Sequence, residues 1–294
     1  MHGEAGGNLD VRGLAKTYGT VRAVDDVTLS LAPGEFGGLV GANGAGKTTT
    51  MSCVGGLTRP DRGTIRICGV DAARHGVAAR REIGIASQRV ALYGGLSVEA
   101  NLRFFARVAG GGGPVQQTAF DRLVSALRLE RLLKRPVVTL SVGQQRLVHV
   151  ASALVHHPRV VLLDEPTAGL DADARNALLA WLHTITDEGA SVLLATHHLS
   201  EVEAHCSTVT LVHRGRVVAA GAVSELIERY GAPRVEISID GETVVHPGSD
   251  VMTALTAVGG NGSVDAVRVV RPSLEAVFGR LTDASIDAGG VLGK

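Results

Sequence analysis

The stretch 41-GANGAGKTTT-50 fits the pattern GxxxxGK[ST] and follows the short apolar run 36-FGGLV-40. Each residue type there has a use in phosphate chemistry. Gly41, Gly44 and Gly46 let backbone N–H groups wrap a β-phosphate, and a helix opening at this point adds partial positive charge. Lys47 is placed to reach the β- and γ-phosphates, and the Thr48 hydroxyl can ligate Mg²⁺. Ala42, Asn43, Ala45 and Thr49 complete the loop around the nucleotide. A second stretch, 160-VVLLDEP-166, ends four apolar residues with two acids. Ligands of open α/β sheets bind at the C-terminal ends of the strands. Asp164 is therefore expected to hold Mg²⁺ through water, and Glu165 to polarise an attacking water.

The elements that must carry these groups are legible as periodicities. Residues from Leu9 to about Arg66 read as strands, with alternation in 24-VDDVTLSL-31 and a turn at 33-PGE-35. A helix is expected from the glycine-rich loop to about Val54, and a strand at 64-TIRIC-68. Gly37 sits in a strand where an apolar side chain would pack better. Residues 75–155 read as helical: Leu102, Phe105 and Ala109 share one face, as do Phe120, Leu123, Leu127 and Leu129. The break 110-GGGGP-114 reads as a flexible loop. Strand 160–164, helix 172–188 and strand 191–196 have the spacing of a βαβ crossover, so those strands should be parallel and buried. Beyond about Gly231, short strands at 235–239, 243–245 and 264–270 and helices at 249–258 and 273–282 predict a small α+β appendage at 232–283. Residues 284–294 read as a loose tail.

Composition narrows the class. The 294 residues are 45% apolar, enough for a large core, and Lys+Arg and Asp+Glu both number 29. That balance supplies no global field for nucleic acid or an anionic surface. Cys53, Cys68 and Cys206 are scattered, as reduced thiols of a cytosolic protein would be. No secretory signal opens the chain, and no apolar run approaches the roughly 20 residues that span a bilayer. A membrane role is expected only through a partner.

A third stretch, 139-TLSVGQQRL-147, looks like a helix start dressed with a hydroxyl, a glycine and carboxamides. Taken with the phosphate loop, Gln88, LLDEP, 168-AGLD-171 and 195-ATHH-198, it resembles the ATPase subunit of an ATP-binding cassette (ABC) transporter. The resemblance runs through about residues 8–230 and implies a P-loop α/β core with a mixed sheet, plus a helical subdomain at about 90–157. By that resemblance Tyr18 stacks on adenine, and Gln88 senses the Mg²⁺ and nucleophile region. Ser141, Gly143 and Gln144 contact the γ-phosphate of ATP held by the other subunit of a head-to-tail dimer. Asp171 crosses the same interface, and His197 contacts the γ-phosphate. His156, His157, His198 and His205 match no motif. Residues just after Gln88 would meet an integral membrane subunit, placing the chain on the cytoplasmic face of the membrane. The segment 269-VVRPSLEAVFGRLT-282 is similar to the end of drug-exporter ATPases.

The chain departs from the family at Val142, where glycine is usual. Val adds bulk and restricts the backbone beside an expected phosphate contact, so the expectation is a weakened half-site. The leading reading is an active Mg²⁺-dependent transport ATPase. A regulatory partner in a heterodimer is the alternative, and an ABC ATPase outside transport a more distant one: the chain has one cassette and no sustained heptad run.

Overall fold

The run 36-FGGLV-40 becomes a strand with every residue buried, and the sheet that carries the chemistry assembles on both sides of it. The computed structural model describes residues 7–110, 114–231, 233–239, 242–258, 264–270 and 272–289. A hairpin of β1 (Leu9–Tyr18) and β2 (Val21–Leu31) pairs from Leu9↔Leu31 to Tyr18↔Val21. The strand at Phe36–Val40 is β3, and α1 (Lys47–Val54) follows the glycine-rich loop. β4 (Arg62–Ile67) lies antiparallel to β1, and β5 (Val70–Asp71) closes a four-stranded sheet of order β2-β1-β4-β5.

The second sheet is built from β6 (Ile83–Ala86), β7 (Val160–Asp164), β8 (Ser191–Thr196), β9 (Thr208–His213) and β10 (Arg216–Ala222) around β3. Its order is β10-β9-β3-β8-β7-β6, and neighbours from β9 to β6 run parallel. Leu9, Leu14 and Val24 of the antiparallel sheet join Met51 of α1 and Leu39, Leu162 and Leu193 of the parallel sheet in one buried cluster. Complete burial of each such side chain contributes about 1.5–3 kcal/mol. This fixes α1, and hence Lys47, against the parallel sheet.

Six more helices accompany these sheets: α2 (Gly76–Arg81), α3 (Val98–Val108), α4 (Pro114–Ala126), α5 (Val142–Leu154), α6 (Ala172–Asp187) and α7 (Leu199–His205). Leu102 is buried on α3, and Phe120, Leu123, Leu127 and Leu129 are buried on and just after α4. α5 is buried from Leu147 onward and packs against β6. Strand β6 corrects the all-helical expectation for 75–155. Gly37 is corrected too: a Cβ there would meet a terminal methyl of Leu31 and crowd the Thr208 hydroxyl, so an apolar residue would pack only if the buried Leu31 side chain moved. The expected loop at 110–114 lies partly outside the described residues, and Pro114 already opens α4.

Packing divides the chain between Ala220 and Gly221, before the boundary expected near Gly231. α8 (Val223–Tyr230) thus belongs to the second unit, where it packs on α10 (Leu274–Gly289). β11 (Arg234–Ile239) is flanked by β12 (Glu242–Pro247) and β13 (Val264–Val270), both antiparallel to it. α9 (Val251–Val258) buries Ala254 against Val235 and Ile237. α10 continues to Gly289, so 284–289 is helix where a loose tail was expected; 290–294 lie outside the described residues. Among the described residues no helix is long and apolar enough to cross a membrane.

Candidate nucleotide site

Strand β3 delivers the chain to Gly41, and the loop turns back into α1 through Gly44 (φ 79°) and Gly46 (φ 102°). Gly46 occupies the position before the helix in a left-handed conformation, and a Cβ there would strike the carbonyl oxygen of Ala23. Glycine is required on both counts. No side chain caps α1, so its first N–H groups are left for a ligand. Lys47 is buried, and its Nζ donates to the carbonyls of Gly41 at 2.6 Å and Ala42 at 3.3 Å. Burial lowers the Lys47 pKa, opposed by the charges of Glu165 and Asp164. Ala42 and Asn43 are exposed on the loop, Ala45 is buried, and Thr48 and Thr49 are at least partly open.

The acids arrive on β7. Asp164 is 3% exposed, and its Oδ2 has no hydrogen-bond partner. Burial pushes its carboxyl above the usual carboxylate range, countered by a hydrogen bond from Thr48 and by the charges of Lys47 and Arg146. A buried, unpartnered carboxylate oxygen beside a threonine hydroxyl is an oxygen donor set that suits Mg²⁺. Thr48 and Asp164 would hold that ion, and it would neutralise charge on phosphate oxygens.

Glu165 leaves the strand at φ 51°, in the left-handed region. Its N–H donates to Ala195 O at 2.8 Å, which ties it across to β8. Its Oε1 accepts from the His197 backbone N–H at 3.1 Å and lies 2.7 Å from His197 Nδ1. Oε2 accepts from Thr196 Oγ1 at 3.4 Å. The carboxylate is therefore held from three directions by the end of β8, and His197 itself is about half exposed.

Gln88 lies two residues past β6, exposed, beyond the same sheet end as Asp164, because β6 and β7 are in parallel register. Arg146 on α5, which the sequence reading did not single out, donates to Ser87 O at 3.1 Å. Burial lowers its pKa, and the charges of Asp164 and Glu165 oppose that shift. One turn further on, His149 is buried, with the Ser87 backbone as the polar group beside its ring. An arginine and a histidine three apart on the helix of 139-TLSVGQQRL-147 were the available signal.

The remaining expected groups form a second cluster. Ser141 caps α5: its Oγ accepts from Gln144 N at 3.2 Å, and Gln144 Oε1 accepts from Ser141 N at 3.1 Å. This reciprocal capping box gives both side chains a role within their own chain. A Cβ on Gly143 would run into the Gly169 carbonyl oxygen, so glycine lets α5 approach the 168-AGLD-171 segment. Asp171 caps α6 by accepting from Ala174 N at 2.8 Å. Val142 is 78% exposed, with its side chain in solvent. Tyr18, 49% exposed at the end of β1, has Lys16 Nζ 5.4 Å from its ring centroid. Lys47, Asp164, Glu165 and His197 thus meet in one place, with Gln88 at the same sheet end, and Ser141–Gln144 gather with Asp171 elsewhere on α5 and α6.

A family model described as ABC transporter matches residues 24–168. The chain is 35% identical over 276 residues to Nod factor export ATP-binding protein I of Cupriavidus metallidurans, covering 92% of this chain and 90% of that one. It is 32% identical over 235 residues to linearmycin resistance ATP-binding protein LnrL of Bacillus subtilis, covering 79% and 75%. A solved structure of the ATP-binding subunit of an ABC transporter aligns with TM-score 0.72 at 33% identity, over 76% of this chain and 92% of that chain. Motif order, sheet topology and these likenesses agree: the chain belongs to the ABC transporter family, as an ATP-binding and ATP-hydrolysing subunit.

Proposed function

We propose that two copies of this cassette, or this chain and a related one, close head to tail around two ATP molecules and drive a separate integral membrane subunit. The chain would then be peripheral, on the cytoplasmic face of the membrane. The observation that carries this reading is the pair at the end of β7: Glu165 clamped by His197, beside Asp164 with a buried free oxygen. Glu165 polarises the attacking water, and His197 orients it while contacting the γ-phosphate. Lys47 and the N–H groups from Gly41 to Thr49 bind the phosphates. Thr48, Asp164 and Gln88 serve Mg²⁺, and Tyr18 stacks on adenine. Ser141, Gly143, Gln144 and Asp171 face the nucleotide of the other subunit, which accounts for their separation from Lys47. Outward transport of a hydrophobic or drug-like compound is the direction favoured by the export and resistance relatives.

Val142 is 78% exposed in the single chain, and in the proposed dimer it lies on the face turned to the other subunit's nucleotide, where its bulk weakens the half-site without removing Ser141 or Gly143. The experiment is Glu165→Gln with Mg²⁺-ATP. Nucleotide binding stays at the wild-type level and turnover drops by about 10²-fold or more, as expected for loss of a general base. Wild-type turnover in that variant would remove Glu165 from this role.

A further inference from the structure

His198 matches no motif and takes no part in the nucleotide contacts above, yet it stands beside two residues that do. We propose that Glu165, His197 and His198 form a binding site for a borderline divalent transition ion such as Zn²⁺, and that loading this site stops turnover. One ligand atom from each of the three residues lies within 4.8 Å of the other two. Glu165 Oε1 and His197 Nδ1 are already 2.7 Å apart, and the two imidazole rings lie 4.0 Å centroid to centroid, tilted by 39°. One carboxylate oxygen and two imidazole nitrogens are the donor set of zinc, with ligand bonds of about 2.0–2.2 Å and water completing the shell. The Mg²⁺ set at Thr48 and Asp164 offers oxygen alone, so the two sites differ in the ion they prefer.

The donors are braced from behind. Thr196 is fully buried; its hydroxyl lies 3.4 Å from Glu165 Oε2 as donor and accepts from the His198 backbone N–H at 3.0 Å. The first contact orients the Glu165 carboxylate as a ligand, and the second fixes the backbone that carries His198. Entry is open, because both histidines are exposed while Glu165 is buried. The other close histidine pair, His183 Nε2 and His205 Nδ1 at 3.2 Å, offers two donors, and no third completes a cluster there among the described residues. An ion at Glu165 occupies the lone pair that would act on water and pulls His197 from its position. Inhibition, though not binding, rests on the role of Glu165 proposed above.

The test uses full-length protein stripped with EDTA and free of nucleotide, titrated with Zn²⁺ by calorimetry and with Co²⁺ by visible absorption. The expected result is one tight ion per chain, weakened at least about tenfold in His198→Ala. The same variant keeps wild-type Mg²⁺-ATP turnover but needs at least about tenfold more Zn²⁺ for half inhibition. His183→Ala binds as the wild type does. Equal affinity in wild type and His198→Ala, or loss of the tight site in His183→Ala, would overturn the assignment. Were Glu165→Gln to hydrolyse ATP normally while Zn²⁺ binding still required His198, the catalytic role would fail and the metal site would stand.

Discussion

His149 should make this protein acid-sensitive by an amount that can be isolated. Burial, reinforced by the charge of Arg146, lowers its pKa from 6.5 to about 4. A histidine of this kind takes up a proton more readily in the unfolded chain, so acid favours unfolding. The effect is absent above the ordinary value of 6.5, grows by about 1.4 kcal/mol per pH unit below it, and saturates below about 4. Between pH 7.5 and pH 5 the loss attributable to His149 is about 2 kcal/mol. Carboxylates elsewhere also respond to acid, and the comparison with His149→Leu removes them. Leucine fills similar volume, takes no proton and removes a desolvated imidazole, so the variant should stay within about 1 kcal/mol of the wild type at pH 7.5. Urea unfolding followed by the fluorescence of Trp181, the single tryptophan, reads the unit that contains both residues. The wild type should lose about 2 kcal/mol more than His149→Leu over that pH interval. Equal losses would mean that His149 is not held neutral by burial, and the reasoning would fail.

Three further outcomes follow from the site. Gly143→Ala drives a Cβ into the Gly169 carbonyl, a strain of about 1–3 kcal/mol partly offset by better helix propensity; a reduced melting temperature and reduced turnover are expected, measured on the same preparation. Val142→Gly removes a side chain that is 78% exposed in the single chain but lies on the proposed dimer face, and steady-state ATPase turnover should rise; unchanged turnover would mean that the valine points away from the nucleotide. Gly46→Ala meets both a left-handed backbone and the Ala23 carbonyl, and should lower ATP affinity by at least about tenfold in equilibrium binding.

The parallel core was legible because its strands are short, with apolar runs at their centres and turn or polar residues at their ends: 160–164 and 191–196 appear with the expected limits. β6 was not, because 83-IGIA-86 is four residues long and sits amid helical sequence. A short apolar run reads equally as a buried strand or part of a helix until its neighbours are known. The contacts that hold the site were hidden for the same reason. Ser87 and Arg146 are 59 residues apart, and Asn8 reaches Ser191 across 183. Glycine was legible at 46, where a motif demands it, but the fit of Gly37 against Leu31 and of Gly143 against Gly169 depends on which surfaces meet. The capping of α5 by Ser141 and Gln144 was written in the S-x-x-Q spacing, under a second role assigned to the same residues.

The backbone at Glu165 bears on how such a chain would drift over generations. Holding a residue with a Cβ in the left-handed region costs roughly 1–2 kcal/mol, and glycine or asparagine would ease it. Neither carries a carboxylate that could meet His197 and Thr196. A lineage released from hydrolysing ATP would be free to exchange this glutamate for a residue at home in that conformation. In this chain the carboxylate is kept there in spite of the backbone strain.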